Sequence, residues 1–104
     1  MKSKSARERH GLSENADAKK QTLLRLKRAE GQIRGIQKMV DEERYCPDIL
    51  TQMSAIHESL RAVERILLRN HLQHCATDAL RSGDDKKAER TYEELTNLFY
   101  KHAR

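Results

Sequence analysis

Hydrophobic residues recur every three or four positions along the first half of the chain, which is the spacing of an amphipathic helix. This first helix is predicted to begin near Asp17, and its apolar positions are Leu26, Ala29, Ile33, Ile36 and Val40. Gly31 and Gly35 lie inside it, where each glycine costs about 1 kcal/mol relative to alanine. We expect the two glycines to allow a close approach between helices.

Pro47 and the Ser82–Gly83 pair mark the ends of a second, longer helix. Proline is favoured at the first position of a helix and glycine commonly follows the last, so Cys46 is the predicted N-cap. A heptad-like stripe runs between these ends and consists of Ile49, Met53, Ile56, Leu60, Val63 and Leu67. A third helix is predicted from Asp85, with an apolar face of Ala88, Tyr92, Leu95 and Phe99.

These patterns predict an all-α fold with a three-helix protomer and no strands. Residues 1–16 are expected to form a flexible basic arm, and residues 17–104 a single helical domain. Charged residues make up 36% of the chain and hydrophobic ones 37%, and small domains bury proportionally less of their surface. We therefore expect two helix hairpins to pair into an antiparallel four-helix-bundle dimer, which would bury the long stripe.

The positive charge of the chain is unevenly distributed. Residues 1–45 hold 12 Lys/Arg and 7 Asp/Glu, whereas the remaining residues hold 9 of each, so the whole net charge of +5 lies in the first part. Such asymmetry predicts a polyanionic partner. Nucleic acid is favoured over a membrane surface, because this part lacks the bulky aromatic residues of an interfacial anchor. An ordinary solvated helix face is the competing interpretation.

No stretch of the chain approaches the roughly 18 apolar residues that a membrane span requires. No apolar run follows the basic N-terminus, so no secretory signal is predicted and we expect a cytoplasmic protein. In a reducing compartment, the two cysteines are expected to be ligands or reactive thiols rather than a disulfide. The chain has no glycine-rich phosphate loop and no nucleophile–base motif, so we do not expect an enzyme.

Two thiols and an imidazole form a candidate metal site. His71 and Cys75 are four residues apart on a predicted helix, which places them one turn apart on one face. Cys46 precedes His71 by 25 residues, and a continuous helix would separate the two by roughly 37 Å. Cys46 therefore cannot reach the other two residues of its own chain. An antiparallel partner helix would bring it to them, which predicts two intersubunit sites per dimer.

The predicted ligand set is soft. Thiolates favour Cu(I), whereas Zn(II) usually takes four ligands and the spacing offers only three. For Cys46 alone, the competing interpretation is a small buried hydrophobic residue. His57 and His74 also lie on the second helix, and both are expected to be surface residues.

Several segments resemble the copper-sensitive operon repressor (CsoR) family. The resemblance rests on RLKRAEGQIRGI at 25–36, on YCPDIL at 45–50, on QMSAI at 52–56, and on Asn70-His71-Leu72 with Cys75. It extends over residues 19–100. It implies a three-helix protomer, an antiparallel dimer and a dimer of dimers. It also implies a repressor that binds operator DNA without a helix-turn-helix in its apo form, and dissociates when Cu(I) binds to derepress copper-resistance genes.

The resemblance also implies roles for single residues. The Cu(I) ligands would be Cys46 of one subunit with His71 and Cys75 of the other, and Tyr45 and Glu94 match positions that support the ligands. Arg25 matches a basic residue implicated in DNA contact. A second-helix basic position falls on Ala62, next to Arg61. Together with the basic face of the first helix, the predicted DNA-binding residues are Arg25, Lys27, Arg28, Arg34, Lys38 and Arg61.

Other effectors and functions remain open on the sequence. Nickel sensors of the family use an N-terminal histidine, and the matching position here is near Glu14, with His10 out of register. Persulfide sensors lack the histidine found here as His71, and formaldehyde sensors lack the cysteine found here as Cys75. Copper therefore ranks first, nickel second and persulfide third. A cytosolic copper-buffering protein that never binds DNA is the alternative from another class, and the charge of the first part argues against it.

Overall fold

The structure, a computed structural model, describes residues 11–102, so His10 and most of the predicted arm lie outside the described residues. Every regular element in this range is helical. A short 3-10 helix at Leu12–Glu14 is followed by α1 (Ala16–Asp41), α2 (Cys46–His71), a π-helical turn (Leu72–Ala76), α3 (Thr77–Arg81) and α4 (Asp85–His102). Because α2, the π turn and α3 follow one another without a break, the described chain has the three helical segments that the sequence predicted.

Single residues next to the helix ends explain where α1 begins and where α3 ends. The side-chain oxygen of Asn15 accepts a hydrogen bond from the Ala18 amide at 3.0 Å, and asparagine is a preferred N-cap residue. Helix α1 thus begins at Ala16, one residue before the predicted start. After α3, Gly83 has a φ of +77°, a left-handed conformation that glycine adopts readily. The Ser82–Gly83 stop is therefore confirmed.

The connection between α1 and α2 is a tight C-cap followed by a new helix. The Glu43 and Arg44 amides donate to the carbonyls of Val40 and Met39, and Glu43 has a φ of +54°. This is the pattern of a Schellman C-cap, in which a left-handed residue satisfies the last carbonyls of the helix.

The N-cap of α2 is Tyr45 and not Cys46, so that prediction is wrong by one residue. The Tyr45 carbonyl accepts from the amides of Asp48 at 3.0 Å and Ile49 at 3.3 Å, which already belong to the helix. Cys46 is therefore the first residue inside α2.

Contacts divide the chain into two compact units, of which the first is Leu12–Arg69. Within it α1 and α2 meet, and the Ser59 hydroxyl donates to the side-chain oxygen of Gln32 at 3.3 Å. The buried residues of this unit are Thr22 and Ala29 on α1 with Ile56 and Val63 on α2. The small size of this set leaves a large apolar surface outside the core.

Two hydrophobic rows of the first unit are exposed. Leu26, Ile33 and Val40 form the α1 row, and Met53, Leu60 and Leu67 form the α2 row; their exposed fractions lie between 38% and 58%. Members of each row are seven residues apart, so each row follows one helix face. The predicted stripes are thus only partly buried within the protomer.

Gly31 and Gly35 do not bring helices together within the described protomer. A Cβ atom added at either glycine would meet nothing within 4 Å, and both residues are exposed. The close approach that the sequence predicted is therefore wrong for contacts inside the described chain.

The second compact unit contains residues 70–102 together with Gly11. Helix α3 packs against α4, and the buried residues are Asn70, Ala76 and Thr91. Of the predicted apolar face of α4, Ala88 and Leu95 are half-buried in the protomer, whereas Tyr92 and Phe99 are 55% and 68% exposed. The face of α4 that is turned inward within the protomer carries Ala88, Thr91, Glu94, Leu95 and Leu98. No helix in the described range is long and apolar enough to cross a membrane.

Candidate metal centre

The predicted ligands lie at the two ends of α2 and just beyond it. Cys46 is the first residue of α2 and His71 the last, while Cys75 lies in the π turn that follows. Cys46 is an exposed, free thiol. Tyr45, 71% exposed, precedes α2 at the end opposite to His71. Among the described residues of this single chain, no three His, Cys, Asp or Glu side chains come together as a metal site.

The clearest contact of the candidate centre joins His71 to Glu94. The Nε2 atom of His71 lies 2.7 Å from Oε1 of Glu94, and the exposed fractions of the two side chains are 21% and 38%. A carboxylate only accepts hydrogen bonds, and a neutral imidazole carries one proton. The short distance therefore assigns that proton to Nε2. Nδ1 is left with a free lone pair, the form in which histidine binds metals.

A π turn separates His71 from α3, and the sequence patterns missed it. The turn spans Leu72–Ala76, and the Thr77 amide bonds to the Leu72 carbonyl five residues back. The Thr77 hydroxyl donates to the same carbonyl at 2.8 Å. Single π turns inside α-helices occur frequently at functional sites. Hydrophobic periodicity could not have found this turn, because only the short helix Thr77–Arg81 follows it and is too short to show the shift of one residue that a π turn introduces.

The predicted DNA-binding residues lie in the first unit and differ in their surroundings. Five of them are exposed: Lys27, Arg28, Arg34, Lys38 and Arg61. Arg25 is half-buried, and its Nε is buried without a hydrogen-bond partner in the described part of the chain.

Two of the exposed arginines form ion pairs on their own helix. Arg34 lies 3.6 Å from Glu30, and Arg61 lies 3.3 Å from Glu58. Exposed pairs of this kind contribute little stability, so a polyanion could compete for either guanidinium.

Helix α2 carries two further exposed arginines beside the predicted set. Arg65 and Arg69 follow Arg61 at intervals of four residues, so the three lie along one face of α2. This four-residue spacing is visible in the sequence.

A sequence model of the family described as "Metal-sensitive transcriptional repressor" matches residues 18–101. The chain belongs to this family. The match covers nearly all of α1 and of α4, and the whole of α2, the π turn and α3. Because the members are transcriptional repressors, the expectation that the chain is not an enzyme is confirmed.

The relatives of the chain within this family include copper sensors. The copper-sensing transcriptional repressor CsoR of Bacillus subtilis is 48% identical over 83 residues, covering 80% of this chain and 79% of the relative. The copper-sensing repressor RicR of Mycobacterium tuberculosis is 45% identical, covering 77% and 84%. The crystal structure of CsoR with Cu(I) from Geobacillus thermodenitrificans matches with a TM-score of 0.74 and 38% identity, over 100% of this chain and 95% of that one. These matches confirm the resemblance to the CsoR family.

The His71–Glu94 contact predicts which ring nitrogen carries the proton. At a pH where the imidazole is neutral, ¹⁵N NMR of the metal-free protein should show His71 as the Nε2–H tautomer. Glu94→Ala removes the acceptor and should give a mixture of tautomers, whereas Glu94→Gln keeps an acceptor oxygen and should retain Nε2–H. The signals of His74, which also lies in the π turn, should be the same in all three proteins and serve as an internal control. A parent protein with the proton on Nδ1 of His71 would contradict the assignment.

Proposed function

We propose that this protein is a cytoplasmic, Cu(I)-responsive repressor that binds operator DNA in the apo form and dissociates when Cu(I) binds, derepressing copper-resistance genes. The observation that carries the proposal is the contact between His71 and Glu94, which holds one imidazole nitrogen available for a metal at the position where the family's metal motif falls. The copper-sensing relatives favour Cu(I) over other ions.

The proposed ligands are Cys46, His71 and Cys75. Two thiolates and one imidazole suit Cu(I), because soft sulfur ligands favour this ion. The carboxylate of Glu94 fixes the imidazole orientation, as carboxylates commonly do for metal-binding histidines. Tyr45 is proposed to support the site from beside Cys46. When bound, Cu(I) would join these side chains by coordinate bonds.

The proposed site lies between two subunits. Helix α2 has 26 residues, so its ends are roughly 37 Å apart. The α2 row of Met53, Leu60 and Leu67 repeats every seven residues. Cys46 lies seven residues before this row and position 74 lies seven residues after it, so the two are equally far from Leu60. An antiparallel pairing of two α2 helices with Leu60 facing its counterpart would place Cys46 opposite position 74. Position 74 lies between His71 and Cys75 in the sequence. The same pairing of two α2 helices would therefore bury the α2 row and bring Cys46 of one subunit near His71 and Cys75 of the other.

Higher assembly is proposed on the same grounds. The α1 row remains after the α2 rows have paired, and Tyr92 and Phe99 on α4 are also exposed. Large exposed apolar surfaces on a soluble chain favour subunit contacts. We propose a four-helix-bundle dimer that assembles further into a dimer of dimers.

The DNA interface is proposed to lie on α1, with Arg61 contributing from α2. Lys27, Arg28, Arg34 and Lys38 are exposed along α1, and Gly31 and Gly35 lie among them with open space above. The absence of side chains at the glycines would let the sugar–phosphate backbone approach the helix, while the flanking cations neutralise phosphates.

A measurement of DNA release by Cu(I) tests the proposed function. The operator affinity of the full chain is measured by fluorescence anisotropy with DNA from upstream of its own gene, with and without Cu(I). Cu(I) should weaken binding at least fivefold, roughly the lower end of typical allosteric coupling. Cys46→Ser should abolish this response, whereas His57→Ala, which changes an exposed histidine elsewhere on α2, should preserve it.

The alternatives are distinguished in the same assay. A protein that binds Cu(I) but no operator DNA would be a copper buffer. Release by Ni(II) or by a persulfide donor, with no response to Cu(I), would make it a nickel- or persulfide-responsive repressor of the same family.

Subunit mixing tests the intersubunit site. Neither Cys46→Ala nor His71→Ala alone retains a complete site, but a heterodimer of the two variants should retain one intact site and recover about half of the Cu(I) stoichiometry of the parent. Subunit exchange is verified with differently tagged chains. Mixed dimers that have exchanged subunits and still bind Cu(I) no better than the single variants would contradict the shared site.

Salt dependence tests the DNA interface. Each phosphate contact that is lost should reduce the slope of log affinity against log salt by about one unit. Arg25→Ala and the exposed Lys27→Ala should both weaken binding and reduce this slope, whereas Arg81→Ala at the end of α3 should change neither. If the slope and the affinity both stay at the parent values in Lys27→Ala, α1 does not bind phosphates at this position.

A further inference from the structure

Thr77 makes an unusual pair of hydrogen bonds at the end of the π turn. Its backbone amide and its hydroxyl both donate to the carbonyl of Leu72, five residues earlier, and the hydroxyl lies at 2.8 Å. Thr51 and Thr96 form the ordinary pattern instead, with their hydroxyls on the carbonyls of Pro47 at 2.9 Å and Tyr92 at 2.8 Å, four residues earlier. The Thr77 hydroxyl therefore reinforces the bond that makes this turn wide.

A wide turn needs such reinforcement. In a regular helix the Thr77 amide would bond to the carbonyl of residue 73, and isolated π turns are rare because the α pattern is the more stable one. A threonine hydroxyl that donates to a carbonyl one turn back is a local interaction that alters helix geometry. Here it adds a second donor to the Leu72 carbonyl and so favours the five-residue closure over the four-residue one.

The packing of Ala76 also favours the five-residue closure of the π turn. Ala76, the last residue of the π turn, is 4% exposed, and α3, which follows, packs against α4. A return to α-helical closure would rotate residue 76 away from its buried position and bring a different side chain inward. The hydroxyl and the packing of Ala76 therefore favour the same turn.

We infer that Thr77 is a positioning residue for the metal centre: its hydroxyl holds the π turn, and the π turn sets how positions 71 and 75 are oriented relative to each other. This inference rests on the proposed function, in which His71 and Cys75 bind one Cu(I). The turn begins directly after the first of these residues and contains the second. Any change in its closure must therefore rotate one ligand position relative to the other.

The experiment compares three variants of the full chain. Thr77→Val keeps the shape of the side chain and removes the donor, Thr77→Ser keeps the donor, and Thr96→Val removes a matched hydroxyl from a regular turn of α4. Amide hydrogen exchange of residues 72–77 is measured on the metal-free protein. Cu(I) affinity is then measured by competition with a colorimetric Cu(I) chelator. If Thr77→Val fails to fold, Thr77→Ala replaces it.

Thr77→Val should speed exchange of the Thr77 amide and weaken Cu(I) binding about fivefold, which corresponds to about 1 kcal/mol, the usual net contribution of one hydrogen bond. Thr77→Ser should stay near the parent in both measurements, and Thr96→Val should change neither. Unchanged or tighter Cu(I) binding by Thr77→Val, or an equal loss in Thr96→Val, would overturn the inference while leaving the proposed function standing. A parent protein that binds no Cu(I) would overturn both.

Discussion

The hydrogen bond between His71 and Glu94 is the contact on which the candidate centre depends. At 2.7 Å, it joins the last residue of α2 to the middle of α4 and fixes which imidazole nitrogen can bind a metal. It also explains the orientation of α4. A helix that turns Glu94 toward His71 turns Thr91 and Leu98 inward with it, because these positions are three and four residues away. Tyr92 and Phe99 then face away from His71 and are exposed in the protomer.

The sequence predicted the elements of this fold better than their faces. Pro47 and Gly83 act through the backbone next to them, so they mark helix ends whatever surrounds the helix. The inward face of α4 includes a half-exposed carboxylate, Glu94, whose hydrogen-bond partner His71 lies 23 residues away in the sequence. Hydrophobicity alone favoured Tyr92 and Phe99 over Glu94, but within the protomer Glu94 is the residue that faces His71. The π turn was missed for a similar reason, since the hydrogen bonds of Thr77 and the burial of Ala76 at this turn are not visible in a hydrophobic pattern.

Periodicity also cannot tell which chain buries a hydrophobic residue. Ala29 and Ile56 are buried within the protomer, whereas Leu26 and Leu60 belong to the same predicted stripes and stay exposed. A heptad pattern indicates that a residue is buried in the functional assembly. It does not indicate whether the residue is buried by its own chain or by another subunit. Of the candidate centre, the sequence could supply the proposed ligand types and their spacing. The partner of His71 came from the resemblance, and its hydrogen-bond geometry required the structure.

The proposed function sets a thermodynamic condition on how these parts act together. Cu(I) can release DNA only if it binds the DNA-free conformation more tightly, and bound DNA must then weaken Cu(I) by the same factor. The proposed ligand positions differ in how they could make Cu(I) bind the DNA-free conformation more tightly than the DNA-bound one. Cys46 lies at a helix end that makes a sharp turn from α1, whereas His71 lies between α2, the π turn and its partner on α4. A bond formed at His71 therefore constrains three elements at once, and a bond at Cys46 constrains one. On this argument His71 is the proposed ligand that would transmit the binding of Cu(I) to the rest of the protein.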